Sequence, residues 1–427
     1  MPDSEPSLPA SGQPESGMIT GAHGRPVPGR SEMVVMVAAL MAMNALAIDI
    51  MLPALSEISQ AIGLTGNGAG DDNRQQWIIF AYILGFGAPQ ILWGPITDRF
   101  GRRSPLFVSI TGYVLTAILC AMLRDFHTLL AARFLQGVFA SGIRLVAVSV
   151  VRDLFAGRKM ARFMSLVMTI FMVVPIAAPA IGQLVLLMGP WEWIFGVLAI
   201  FGSVMLVWTW LRLPETLAPE ARQPLSAANA GSAYMQVFRS RVTFGYMAAS
   251  GVIFGALFSF IGVAEQIFRG VFNQQESFAL WFAAIAGALA CANFLNSRIV
   301  EKVGMRRVSH TAMIVFILMS ATLAVRTHFF GEDLAWFFPL FALAFACFGL
   351  MGANFSALAM EPLGKIAGTA SAAYGFATTT VASLLGMWIG HYFNGTTVPL
   401  STGFVCLGLG SLTIILITEK GRLFSSR

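Results

Sequence analysis

Residues 94–103 read Gly94-Pro-Ile-Thr-Asp98-Arg99-Phe-Gly101-Arg102-Arg103. An acid, a glycine and two adjacent arginines fall in one short stretch, with a long apolar run on either side. Charge confined to a turn between two apolar runs, each near the ~20 residues a bilayer requires, reads as two membrane-spanning helices joined at the water face. The second half of the chain repeats the arrangement as Asn296-Ser-Arg-Ile-Val-Glu301-Lys-Val-Gly304-Met-Arg-Arg307, again an acid, then glycine, then paired arginines. Such internal duplication points to a chain of two similar halves, with a site between them near the bilayer midplane.

Working outward with the same ruler predicts spans at 33–55, 75–97, 105–123, 128–151, 163–187, 192–211, 242–264, 277–299, 308–325, 334–358, 368–392 and 399–418. The fold class is therefore an all-α membrane protein, twelve helices in two pseudo-symmetric bundles of six. Residues 1–32 read as a disordered tail without an apolar core, and the first span as an uncleaved signal-anchor. The first bundle covers 33–211, and residues 212–241, with Pro214, Pro219 and Pro224, read as a linker. The second bundle covers 242–418, and 419–427 form a short tail.

Composition agrees. The 427 residues are 56% hydrophobic and 11% charged, with a mean hydropathy of +0.73; a soluble domain carries about 25% charge. The net charge of +6 and pI near 9.4 do not imply nucleic acid, because the basic residues lie in short clusters between spans. Counting Lys and Arg in the connections gives about 21 on the side of the termini against about 4 on the other, which places both termini in the cytoplasm. Cys120, Cys291, Cys347 and Cys406 all fall inside apolar runs, without disulfide or ligand spacing. The five histidines are scattered, so no metal, cofactor or enzyme site is expected.

Two ionisable residues stand where lipid-spanning sequence tolerates few: Asp49 in the first span and Arg133 in the fourth. Asp49 lies sixteen residues above Met33, roughly 24 Å at about 1.5 Å per residue, and Arg133 falls at similar depth on an antiparallel helix. The two are expected to face one another, with Asp49 carrying a proton and Arg133 tuning it. A static buried salt bridge is the alternative. Arg144, eleven residues after Arg133, falls on nearly the same helix face without a carboxylate at its depth. It either bonds backbone and water or binds an anionic or carbonyl-rich group of a substrate. Aromatic and Met side chains suit a wall for apolar ligands, and Tyr82, Phe86, Phe171, Met172, Phe254, Phe258 and Tyr374 are the candidates. In the fifth span, Pro175, Pro179 and Gly182 allow a bend and close packing.

Residues 94–103 resemble the loop 2–3 signature of the major facilitator superfamily. Asp49-Ile-Met-Leu-Pro53, Arg133-Phe-Leu-Gln136-Gly137, Arg152-Asp153, Leu213-Pro-Glu-Thr216 and Ala367-Gly-Thr-Ala-Ser371 narrow the likeness to bicyclomycin-resistance and chloramphenicol-efflux type drug:proton antiporters. The resemblance implies a conformational latch made by Gly94, Asp98, Arg99, Gly101, Arg102, Arg103 and Asp153. In it Arg102 bridges Asp98 to Asp153, and Asp98 meets the start of the eleventh helix near Gly368. The fifth span resembles an exporter signature but departs from it, with Gln183 where a second glycine is usual and Ala178 before Pro179.

The function expected is export of small, fairly apolar molecules driven by protons, by a monomer in the inner membrane. Its partners are the substrate, protons and the bilayer, with no nucleic acid. Proton-coupled uptake is the alternative within transport, and a transport-incompetent sensor the alternative outside it.

Overall fold

Pro53 decides how the first span is built. It has no N–H to offer the carbonyl four residues earlier, and its ring crowds that carbonyl, which belongs to Asp49. In the computed structural model, which describes residues 28–64, 73–155, 157–222 and 227–424, helix α1 (Arg30–Asp49) accordingly ends at Asp49. A single 3-10 turn at Leu52–Ala54 follows, and then α2 (Leu55–Ala61). Proline punctuates two other spans. The second is bent by 43° at Ala88–Pro89, between α3 (Trp77–Gly87) and α4 (Gln90–Phe100). The fifth breaks at Met172, between α7 (Gly157–Phe171) and α8 (Val173–Met188), where Pro175 cannot bond the carbonyl of Phe171.

The remaining elements are α5 (Arg103–Met122), α6 (Phe126–Leu154), α9 (Glu192–Arg212), α10 (Ala227–Arg239), α11 (Arg241–Glu265), α12 (Phe278–Val303), α13 (Met305–Phe330), α14 (Leu334–Met360), α15 (Ala367–His391) and α16 (Val398–Thr418). Among the described residues, eleven stretches are long and apolar enough to cross a bilayer, and the bent α3–α4 pair makes twelve. Each predicted span coincides with one of them. The first helix starts at Arg30, so residues 30–32 are helical rather than tail, and residues 1–27 lie outside the described residues. Between the sixth and seventh spans the chain forms α10, which polar composition alone did not announce.

Packing repeats between the two sets of six. α1 lies against α6, α7, α8 and α9, as α11 lies against α14, α15 and α16. α5 packs on α6 and α9, as α13 packs on α14 and α16. The sets meet through α15 on α3 and α4, and through α8 on α12. Small residues permit the closest approaches. A Cβ on Gly85 would strike the Phe134 carbonyl, and one on Gly137 the Tyr82 carbonyl, so α3 and α6 touch backbone to backbone.

Outward faces are apolar: Leu115, Met122, Leu187, Ile200, Leu280, Phe294 and Ile417 stand exposed. Water would disfavour such a surface, and hydrocarbon does not. Exposed Trp193, Trp210, Trp336, Trp388 and Tyr392 lie near span ends, where amphipathic rings meet the headgroups.

Candidate functional site

Asp49 is the last residue of α1 and is 5% exposed. Among the described residues, neither a hydrogen bond nor an ion pair reaches its carboxyl. Arg133, fully buried on α6, does not pair with it, which corrects the expected juxtaposition. The guanidinium instead binds backbone and amide: Nη2 donates to the Ala47 carbonyl at 3.0 Å, Nε to the Ile78 carbonyl at 3.3 Å, and Nη1 to Gln136 Oε1 at 2.6 Å. Tyr82 lies beneath it, ring centroid 4.5 Å away, and the Phe195 ring 5.8 Å away.

The reason is the break in the first span. The last carbonyls of a helix lack intrahelical partners and carry the negative end of its dipole. A cation at that depth is satisfied by the end of α1 without reaching the side chain of Asp49. Tyr82 is corrected as well. It is fully buried beneath Arg133, donates to Asn44 Oδ1 at 3.1 Å, and belongs to the α1–α3–α6 core rather than to a cavity wall.

Gly182 of α8 sits against the Ile50 carbonyl and Pro53, so the fifth-span motif packs on the chain directly after Asp49. Pro175 lies in the first turn of α8 and Pro179 inside it. Phe171, Met172, Phe254, Phe258 and Tyr374 are half-buried and Phe86 is buried. Tyr374 and Ser250 share a hydrogen bond of 2.7 Å. Arg144, also half-buried, stands 5.7 Å from the Phe86 ring.

At the face where α1 starts and α16 ends, Arg102 is 3% exposed and joins two acids. Nη1 donates to Asp98 Oδ1 at 2.7 Å, Nε to Asp153 Oδ2 at 2.8 Å and Nη2 to Asp153 Oδ1 at 3.3 Å. Burial alone pulls the proton affinity of this guanidinium down, but the bonds to Asp153 and Asp98 outweigh it and hold it above the ordinary arginine value. Gly101 makes the turn with φ +85°, a conformation that side chains resist. Arg103 Nη2 donates to the Trp210 carbonyl at 2.7 Å. Arg99 is exposed, and a Cβ on Gly94 would meet open space, so these two stand apart from the cluster. The expected meeting of Asp98 with the helix start near Gly368 falls on residues 364–368, whose side-chain surroundings lie outside the described residues.

Glu215 was missed as a participant, although its motif was noted. Its carboxylate accepts the backbone N–H of Arg102 at 2.9 Å and of Arg103 at 3.2 Å, capping the start of α5 from the far end of the first six spans. The second loop has a counterpart. Gly304 turns with φ +93°, and Arg306 pairs with Glu419 at 2.9 Å and Glu361 at 3.5 Å. These acids follow α16 and α14, as Glu215 follows α9 and Asp153 ends α6. The loop's own acid, Glu301, is exposed.

The opposite face is tied across the two sets by polar groups. Ser56 donates to Glu265 Oε1 at 2.6 Å, and Gln76 Nε2 to Gln266 Oε1 at 2.8 Å and the Gly390 carbonyl at 3.2 Å. Asn73 Nδ2 reaches the carbonyls of His391 and Phe393 at 3.0 and 2.7 Å, and Gln183 that of Gln275 at 3.1 Å.

Twelve spans in two matching sets, charged turns at one face and buried charges within, define a membrane transporter rather than an enzyme. The chain belongs to the Major Facilitator Superfamily, whose family model matches residues 37–387. It is 30% identical over 384 residues to the "Uncharacterized MFS-type transporter YdgK" of Bacillus subtilis, covering 87% of this chain and 92% of that one. It is 27% identical over 379 residues to the "Bicyclomycin resistance protein homolog" of Haemophilus influenzae, with the same coverage. Among solved structures, the xylose transporter XylE of E. coli superposes with a TM-score of 0.68 at 11% identity, covering 91% of this chain and 97% of that one.

Proposed function

We propose that this protein exports small, fairly apolar molecules in exchange for protons, by alternating access across the cytoplasmic membrane. The reading divides the chain at residues 212–241 into two bundles that rock about a central site. The cytoplasm meets the face bearing the termini, in line with the excess of Lys and Arg there. The observation that carries the coupling is Asp49, a carboxyl enclosed at the end of α1 without a cation beside it. An uncompensated charge in such surroundings is costly, so ionisation requires that water or a cation reach it. Alternating exposure to the two faces supplies that access. A proton entering down about 100 mV provides roughly 2.3 kcal/mol for export. The name of the Haemophilus relative, a bicyclomycin resistance homolog, favours drug-like cargo and outward direction.

Arg133 holds α1, α3 and α6 together around this carboxyl, and the Arg102 cluster latches the cytoplasmic ends of α4, α5 and α6. The pocket would draw on Phe86, Arg144, Phe171, Met172, Phe254, Phe258 and Tyr374. Everted vesicles with an internal pH dye test the reading. Adding substrate to energised vesicles should release protons from the lumen, and Asp49→Asn should abolish that release while leaving substrate binding within about threefold. Full proton release in the Asp49→Asn protein would refute the assignment.

A further inference from the structure

Arg144 is a cation without an answer. Arg102 has two carboxylates, Arg306 has two, and Arg133 has two carbonyls and an amide oxygen. Arg144, half-buried on α6 within the fourth span, has only the Phe86 ring at 5.7 Å; among the described residues no acceptor bonds its guanidinium. Three residues earlier on the same side of the helix, the buried Ser141 hydroxyl also lacks a partner. Across the contact between α3 and α15, near Gly87, Thr380 Oγ1 is another buried hydroxyl with no partner among the described residues. Among the described residues, the buried acids of the spans lie elsewhere: Asp49 at the end of α1, and Glu265, engaged by Ser56 and Arg269.

A guanidinium kept inside a bilayer is costly unless it meets a partner or water. Its planar fork of N–H donors matches the two oxygens of a carboxylate, which it binds bidentately. We infer that Arg144 recognises an anionic group on the transported molecule, a carboxylate or similar planar oxyanion, with the molecule's flat apolar body against Phe86. The cargo class is then small organic acids with an aromatic or alicyclic body. This rests on the transport reading above and narrows it. It also changes the electrical balance: a monoanion leaving while one proton enters moves two charges, where a neutral molecule moves one. Each charge crossing about 100 mV supports a gradient of roughly fiftyfold, so an acid is driven outward by an additional factor of that size.

The test uses the purified full-length protein and matched probes, aryl carboxylates paired with their uncharged primary amides, naphthylacetate with naphthylacetamide among them. Binding is read by intrinsic tryptophan fluorescence. The wild-type protein should bind the carboxylates at least tenfold more tightly than the amides. Arg144→Gln should cost the carboxylates tenfold or more and change the amides by less than twofold. Arg144→Lys, which keeps charge but loses the fork, should recover part of the loss. Amide affinity and the thermal midpoint report whether each variant is folded. Equal affinity for acids and amides, equal losses in both, or no measurable binding of the carboxylates overturns the inference. Failure of the transport reading registers separately, as substrate binding without proton movement in vesicles.

Discussion

Arg133 and Asp49 lie at one depth, yet the arginine is occupied by the backbone at the end of α1 and by Gln136, which gives it a structural task distinct from proton transfer. Arg133→Lys keeps the charge but cannot reach Ala47, Ile78 and Gln136 together, leaving buried acceptors unbonded at about 1–3 kcal/mol each. The variant should lose roughly 2–4 kcal/mol of stability, read as a lower thermal midpoint. On the proposed exchange with protons, the pH dependence of the variant's residual transport should remain that of the wild type. A displaced pH profile would mean that Arg133 does act on Asp49. The depth of both residues was legible from helix arithmetic alone. Their separation was not, because it depends on where α1 stops, and Pro53, four residues after Asp49, sets that end. The role of Tyr82 was hidden for another reason: periodicity marks an aromatic as inward-facing but not whether it meets a cavity or an arginine.

At the scale of elements, the two charged turns use one design with different acids. Each places a positive-φ glycine before an arginine, which then meets one acid at the end of its set's fourth span and another after its sixth. In the first turn the second contact is through backbone, where Glu215 caps α5. Glu215→Ala should therefore cost about 1–2 kcal/mol by leaving two N–H groups of the first turn unbonded, and Arg102→Ala about 2–4 kcal/mol by stranding Asp153. Thermal midpoints of the detergent-solubilised protein measure both losses. In the second turn, burial pushes the Glu419 carboxyl up, but bonds from Arg306 and Tyr246 outweigh it and hold it below the usual glutamate range. An acid so depressed stabilises the fold above its unfolded value and loses that contribution as pH falls through the folded one. Glu419→Gln should lower stability at pH 7 by about 1–2 kcal/mol; the difference from wild type should begin to shrink as pH falls to the unfolded glutamate value of about 4.3 and vanish only below the depressed folded one. The first turn was legible because its arginine and acids sit in recognisable motifs. The second was legible only as a repeat of glycine and arginines, since Glu361 and Glu419 come from segments distant in sequence.

Over the whole molecule, among the described residues, the ties between the two sets of six helices at the face remote from the Arg102 turn are mostly amides, a hydroxyl and carbonyls, with Glu265 a carboxyl among them. Neutral hydrogen bonds net about 0.5–1.5 kcal/mol each, so several of them hold this face together without trapping it, as the alternating access proposed above requires. Such a closure leaves little trace in sequence, because Asn and Gln near span ends read equally well as solvated. Gln76 is its hub, bonded to Gln266 and to the Gly390 carbonyl, and it is 1% exposed. Gln76→Ala should remove both bonds and shift the population toward opening at that face by roughly fivefold to twentyfold, the equivalent of about 1–2 kcal/mol. A cysteine placed at Ser59, which is 7% exposed beside this closure, reports the shift through its rate of labelling by a membrane-impermeant maleimide, in a background lacking the four native cysteines. Labelling should be slow with Gln76 present and faster by that factor with alanine. An unchanged rate would show that apolar packing between α3 and α15, rather than the amide network, keeps the face shut.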